Sequence, residues 1–94
     1  MSKTEAERVE IEARIDHILT MVKEECLAAA IKHKPMNSPH EGYAVLLEEV
    51  DELWDHVKAD TGRTIDAMDE AIQIAAMGVR YVLDVVHAKP TPIN

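Results

Sequence analysis

The sequence predicts an all-α protein, a helical bundle of about three main helices per chain, completed by oligomerisation. Three observations carry this. Apolar residues recur three and four apart rather than in alternation. Gly and Pro are few, 3 and 4, too few to punctuate a set of strands. The last periodic stretch is apolar around most of its circumference, more than a three-helix monomer of this size can cover. The 94 residues make a single domain, 1–94. With no Phe in the chain, its core must be built from Leu, Ile, Val, Ala and Met.

The first helix is expected from about Thr4 to His33. Thr4 followed by Glu7 fits a capping box. Val9, Ile15, Ile18, Leu19, Val22, Leu27 and Ile31 supply apolar positions near helical spacing. The pattern weakens around Lys23 to Cys26, where a bend or break is compatible with the sequence. Lys32, His33 and Lys34 complement the dipole at the C-terminal end, and Pro35 stops the helix. His17 and His33 read as surface or partly buried residues. Cys26, the single cysteine, reads as a small buried helix residue with no disulfide partner.

Lys34 to Pro39 is a loop. Ser38, Pro39 and Glu41 then announce a second helix: N-cap, N1 proline, and an N3 carboxylate able to reach back to the cap. It should run to about Ala59. Leu46, Val50, Leu53 and Val57 form its apolar stripe, widened by Tyr43, Leu47 and Trp54. Asp60 to Thr64 is a turn, with Gly62 as the stop and Thr64 or Asp66 as the next cap. The third helix is expected from about Ile65 to Ala88, ended by Pro90. Its polar residues Glu70, Gln73, Arg80 and Asp84 fall with Met77 on one narrow stripe. That stripe reads as an inward polar seam, either structural or chemical.

Net charge is -8, which argues against a nucleic-acid polymer or an anionic membrane surface as partner. No apolar run reaches membrane-spanning length, and the first residues are charged rather than leader-like, so a cytoplasmic location is expected.

Glu49 and Glu52 are the first chemical signal. At i and i+3 they share a helix face with Val45 and His56, away from the centre of the apolar stripe. Two carboxylates about 4 Å apart repel by about 1 kcal/mol in water and about 4 at an intermediate effective dielectric. Two readings follow: a solvated face, or a site for a divalent cation, Mg²⁺ above all. The short turn sets the second and third helices antiparallel, so Glu49 and Glu52 can meet Glu70 and Gln73 across the groove. Three carboxylates and an amide then converge, and buried carboxylates are costly unless paired or metal-bound. Glu48 is in reserve, four residues before Glu52.

The segments Glu49-Val50-Asp51-Glu52 and Glu70-Ala71-Ile72-Gln73, seventeen residues apart (53–69), resemble the all-α nucleoside triphosphate pyrophosphohydrolases of the MazG type. The family pattern is E-x-x-E, a spacer, then E-x-x-D on neighbouring helices, and the likeness covers roughly Pro39 to Asp84. The resemblance implies a Mg²⁺-dependent hydrolase (Mn²⁺ also suits the site) that splits a nucleoside triphosphate into monophosphate and pyrophosphate, in nucleotide-pool cleansing or in signalling. It implies Glu49, Glu52 and Glu70 as catalytic metal ligands, with Gln73 and Glu48 beside them. Lys58, Arg63 and Arg80 are candidates for phosphate contact, and Trp54 for stacking a base. The apolar third helix calls for a bundle made by more than one chain, most simply a two-fold dimer, so a homodimer or homotetramer is expected. The departure is Gln73, where the family has Asp; its amide oxygen can ligate a hard cation but brings no charge. The rival reading is a non-catalytic helical module that binds a nucleotide or another protein. A di-iron bundle is a weaker fit, because its Glu-x-x-His element has one near match, Asp84 to His87.

Overall fold

The computed structural model describes residues 3–87. Within them the chain is three helices: α1 (Glu5–Lys32), α2 (Pro39–Lys58) and α3 (Ile65–Tyr81), the last continuing into a π-helical turn over Val82–Val86. No strand occurs among the described residues. α3 packs against both α1 and α2.

Each helix begins where its cap residue stands. At α1, Thr4 Oγ1 accepts from the Glu7 backbone N–H at 3.1 Å while the Glu7 carboxylate accepts from the Thr4 N–H, a complete capping box. At α2, Ser38 Oγ accepts from the Glu41 N–H at 3.1 Å and Pro39 occupies the first turn. The Glu41 carboxylate reaches one residue further than expected and accepts from the Asn37 N–H instead of the cap. At α3 the cap is Thr64, not Asp66: Thr64 Oγ1 accepts from the Ala67 N–H.

Three helix-end expectations change. α1 is unbroken through Lys23–Cys26, because Val22 and Cys26, four residues apart, are both buried on one face and hold that turn. α2 is stopped by Asp60, which takes the left-handed conformation at φ 58, while Gly62 has a negative φ. Asp tolerates that region because its short side chain bonds locally. The helical backbone after α3 ends at Val86, so the chain leaves the helix before the expected end; Ala88 and Pro90 lie outside the described residues.

The core is small and sits where α3 crosses its neighbours. Val22 and Cys26 from α1, Met36 from the loop, and Ala76 and Met77 from α3 are buried together, with Ala29, Val45, Leu46, Ile72, Tyr81 and Val85 packed around them. The small side chains of Ala67 and Ala76, both fully buried, let the helices approach closely. Much of the expected α2 stripe stays in contact with solvent: Leu46 and Leu53 are half-buried, but Tyr43, Leu47, Val50, Trp54 and Val57 are exposed. The reason is that α2 has only α3 to lie on, and it meets α3 through the face carrying Val45, Leu46 and Glu49. The N-terminal half of α1 likewise projects, with Val9, Ile15, Ile18 and Leu19 exposed. The radius of gyration is 16.4 Å, against about 12 Å for a compact globule of this length.

Gly42 is the one glycine whose missing side chain matters to packing. A Cβ there would stand 2.5 Å from Cδ2 of the Tyr81 ring and 3.3 Å from the Met36 sulfur. Alanine would gain about 1 kcal/mol of helix propensity, but forcing the ring aside costs about 1–3. Gly42→Ala is therefore expected to lower stability by about 1 kcal/mol in urea denaturation. In a Tyr81→Ala background the same substitution should turn neutral or stabilising.

Candidate functional site

The turn at Asp60–Thr64 fixes the register of α2 on α3. Thr61 Oγ1 donates to the His56 carbonyl at 3.2 Å and lies 3.0 Å from His56 Nδ1, and Thr64 Oγ1 donates to the Thr61 carbonyl at 2.6 Å. His56, expected beside the acidic pair, is thus used in the turn. With that register, Glu70 on the first turns of α3 faces Glu49 and Glu52 near the middle of α2. One carboxylate oxygen from each of Glu49, Glu52 and Glu70 lies within 4.8 Å of the others. Among the described residues this is the one such grouping of possible metal ligands.

The electrostatics follow from that proximity. The Glu49 carboxyl is pushed up from 4.5 to about 7, first by burial, then by its hydrogen bond with Glu70 and by repulsion from Glu52 and Glu70. Glu52 is raised chiefly through its hydrogen bond and charge repulsion with Glu70. Glu70 Oε2 is buried and has no hydrogen-bond partner among the described residues. A carboxylate oxygen without a donor is an uncompensated cost, and among the described residues no Lys or Arg pairs with any of the three.

The cluster lines one side of an open groove of about 900 Å³ between the three helices. The groove runs along α3 from Asp69 and Glu70 past Gln73 and Met77 to Arg80, a rise of about 15 Å. Its far end is basic: Lys32, His33 and Lys34 at the end of α1, and Arg80. Arg80 is 4% exposed. Its Nη2 donates to the Lys34 carbonyl at 3.2 Å and lies 3.5 Å from Asp84 Oδ2, which also accepts from the Met36 N–H at 3.1 Å. This pair ties the α1–α2 loop to α3, and the Arg80 Nε is left buried without a partner.

The expected site residues divide accordingly. Glu48, Glu49, Glu52, Glu70, Gln73 and Arg80 all line the groove. Lys58, Arg63 and Trp54 do not: Lys58 pairs with Asp55 at 3.3 Å and lies over the Trp54 ring at 5.8 Å, on a face where Trp54 is 55% exposed. Asp84 is held by Arg80 and Met36, and His87 is exposed, so the di-iron element does not assemble. Residues missed in the sequence are Lys32, His33 and Lys34, assigned there only to the helix dipole, and Glu25, which accepts a hydrogen bond from Gln73 Nε2. Glu25 had a signal. It stands three residues after Val22 and four before Ala29, a charge on the face that α1 packs inward.

No protein-family model matches this chain, and no curated protein or solved structure matches it.

The raised Glu49 carboxyl makes stability depend on pH. Its folded value lies above its unfolded one, so the folded state binds more protons between about 4.5 and about 7. Stability without metal should therefore fall as pH rises through that window, by about 1–2 kcal/mol after allowance for solvent screening. Glu49→Gln should flatten this part of the profile and melt higher than the parent at pH 8. Thermal denaturation at pH 5 and pH 8 in EDTA measures both.

Proposed function

We propose that this chain is a Mg²⁺-dependent nucleoside triphosphate pyrophosphohydrolase, releasing a nucleoside monophosphate and pyrophosphate. The observation that carries the reading is the convergence of Glu49, Glu52 and Glu70 without a basic partner among the described residues. The donor set fits Mg²⁺ or Mn²⁺: hard carboxylate oxygens, one buried and unsatisfied, and mutual repulsion that a divalent cation reverses. The resemblance of Glu49–Glu52 and Glu70–Gln73 to the MazG-type pattern points the same way.

Glu49, Glu52 and Glu70 would hold the cation, Gln73 would add a neutral oxygen from the next turn of α3, and Glu48 stands at the groove's exposed rim. Bound Mg²⁺ supplies Lewis-acid polarisation of phosphate oxygens and of a water. An oxygen of the carboxylate cluster left free of the cation accepts the proton of the attacking water. Lys34 and Arg80, at the basic end of the same groove, suit the phosphate groups that project away from the acidic cluster. The groove thus offers one end to a cation and the other to anions, as a metal–triphosphate ligand requires. A nucleic-acid polymer does not suit a chain of net charge -8. No helix among the described residues is long and apolar enough to cross a membrane.

The proposal includes a homo-oligomer, a dimer or tetramer. On α3, Met68, Ala75 and Val79 are exposed at spacings of seven and four, the pattern of a helix–helix seam, and Val82 and Val86 in the π-helical turn that follows are exposed too. Val50, Trp54 and Val57 on α2 add a second open apolar face. This much exposed apolar surface supports an association between copies of the chain.

Two measurements test the reading. Pyrophosphate release from a panel of ribo- and deoxyribonucleoside triphosphates should require Mg²⁺ or Mn²⁺. It should fall at least a hundredfold in Glu49→Gln and Glu52→Gln, while their melting temperatures hold or rise. Silence across the panel, with no metal-plus-nucleotide thermal shift, favours a non-catalytic interaction module. In sedimentation equilibrium the chain should run as a dimer or larger, and Val79→Glu with Val82→Glu should dissociate it.

A further inference from the structure

Gln73 stands next to the acidic cluster and carries no charge of its own. It lies three residues after Glu70 on the same face of α3 and lines the same groove. An amide side chain is ambivalent: its oxygen can ligate a cation, its nitrogen repels one. Which atom faces the carboxylate cluster decides whether Gln73 helps or hinders metal binding. That choice is made from α1. Gln73 Nε2 donates to Glu25 Oε1, across the α1–α3 contact. A carboxylate only accepts, so the nitrogen is committed to Glu25 and Oε1 is left free of that bond. α3 has α1 on one flank and α2, with Glu49 and Glu52, on the other.

We infer that Glu25 is a positioning residue for the metal site, fixing the Gln73 amide so that Oε1 completes the oxygen set of Glu49, Glu52 and Glu70. The inference rests on the proposed metal-dependent function. Glu70 Oε2, buried and without a hydrogen-bond partner among the described residues, is the orphaned atom that a cation would satisfy. A carboxylate at 73 would face Glu25 as a like charge.

Outer partners of metal ligands are worth about 10–100-fold in affinity. The test is a double-mutant cycle read by Mn²⁺ titration of the full chain, with bound and free ion resolved by electron paramagnetic resonance, well below every variant's melting temperature. Glu25→Gln, which keeps the shape but lets either amide face the site, should weaken Mn²⁺ about tenfold. Gln73→Leu, which has no Oε1, should weaken it at least as much. Glu25→Gln added to Gln73→Leu should then weaken it no further. The swapped pair, Glu25→Gln with Gln73→Glu, should restore affinity, since the hydrogen bond is kept with donor and acceptor exchanged. Unchanged affinity in Glu25→Gln, or equal losses in the presence and absence of Gln73, overturns the inference. If Mn²⁺ does not bind the parent, or binds Glu49→Gln as well as the parent, the metal-site reading itself falls. Those outcomes are distinct, because Glu49→Gln reports on the cluster and Glu25→Gln only on the group behind it.

Discussion

The repulsion among Glu49, Glu52 and Glu70 is the constraint on which the rest of this structure depends. Two of these carboxylates come from one helix and the third from the next, and their oxygens are gathered within 4.8 Å. Left to themselves they would splay. They are held by features that have nothing to do with charge. Asp60 turns the chain in the left-handed conformation, Thr61 and Thr64 tie the turn together, and Ala67 lets α3 lie close to its neighbour. The cost appears as the rise of the Glu49 carboxyl to about 7. Paired carboxylates with raised values are a common mark of sites that meet a cation or move a proton.

The opposite end of the groove has the complementary problem. Arg80 is buried beside Asp84, and burying an ion pair stabilises little unless further hydrogen bonds satisfy both partners. Here the extra bonds go to backbone groups of the α1–α2 loop, the Lys34 carbonyl and the Met36 N–H. The pair thus works less as a source of stability than as a fastener. It holds Met36 in the core and sets Lys34 at the rim of the groove. One polar stripe on α3 therefore does two jobs along its length. Its N-terminal part presents Glu70 and Gln73 to the cluster, and its C-terminal part anchors a loop.

Local chemistry was legible in the sequence and long-range chemistry was less so. Thr4 with Glu7, and Ser38 with Pro39, begin their helices as their cap geometry dictates, because a cap is decided by residues within one turn. The polar stripe on α3 was legible for a similar reason: helical spacing alone puts Glu70, Gln73, Arg80 and Asp84 on one side. The approach of Glu49 and Glu52 to Glu70 needed one further inference, that a short turn makes neighbouring helices antiparallel. Gly62 misled as a helix stop, since Asp can take the same backbone conformation when a turn demands it. Glu25 was hidden because its partner is 48 residues away. Its charge on the inward face of α1 looked like a flaw in the helix, when it was the end of a hydrogen bond. The apolar stripe of α2 was correct as a pattern and incomplete as a prediction, because periodicity says which residues share a face but not what covers them.

That last point links the site to the open surface. In a three-helix chain of this size, α3 has one inward face, and much of it is given to Glu70, Gln73, Arg80 and Asp84. The apolar core that remains is Val22, Cys26, Met36, Ala76 and Met77 with its half-buried surround, and no large side chain among the described residues is fully buried. Burial contributes roughly 25 cal/mol per Å², so polar residues on the inward face leave less of it. Meanwhile Val79, Val82 and Val86, along with Trp54 and Val57, are presented outward. A groove placed between a protein's own helices displaces core, and the displaced apolar residues must find cover elsewhere. On the proposed reading a second copy provides it, so that association and the acidic groove are two consequences of the same use of α3.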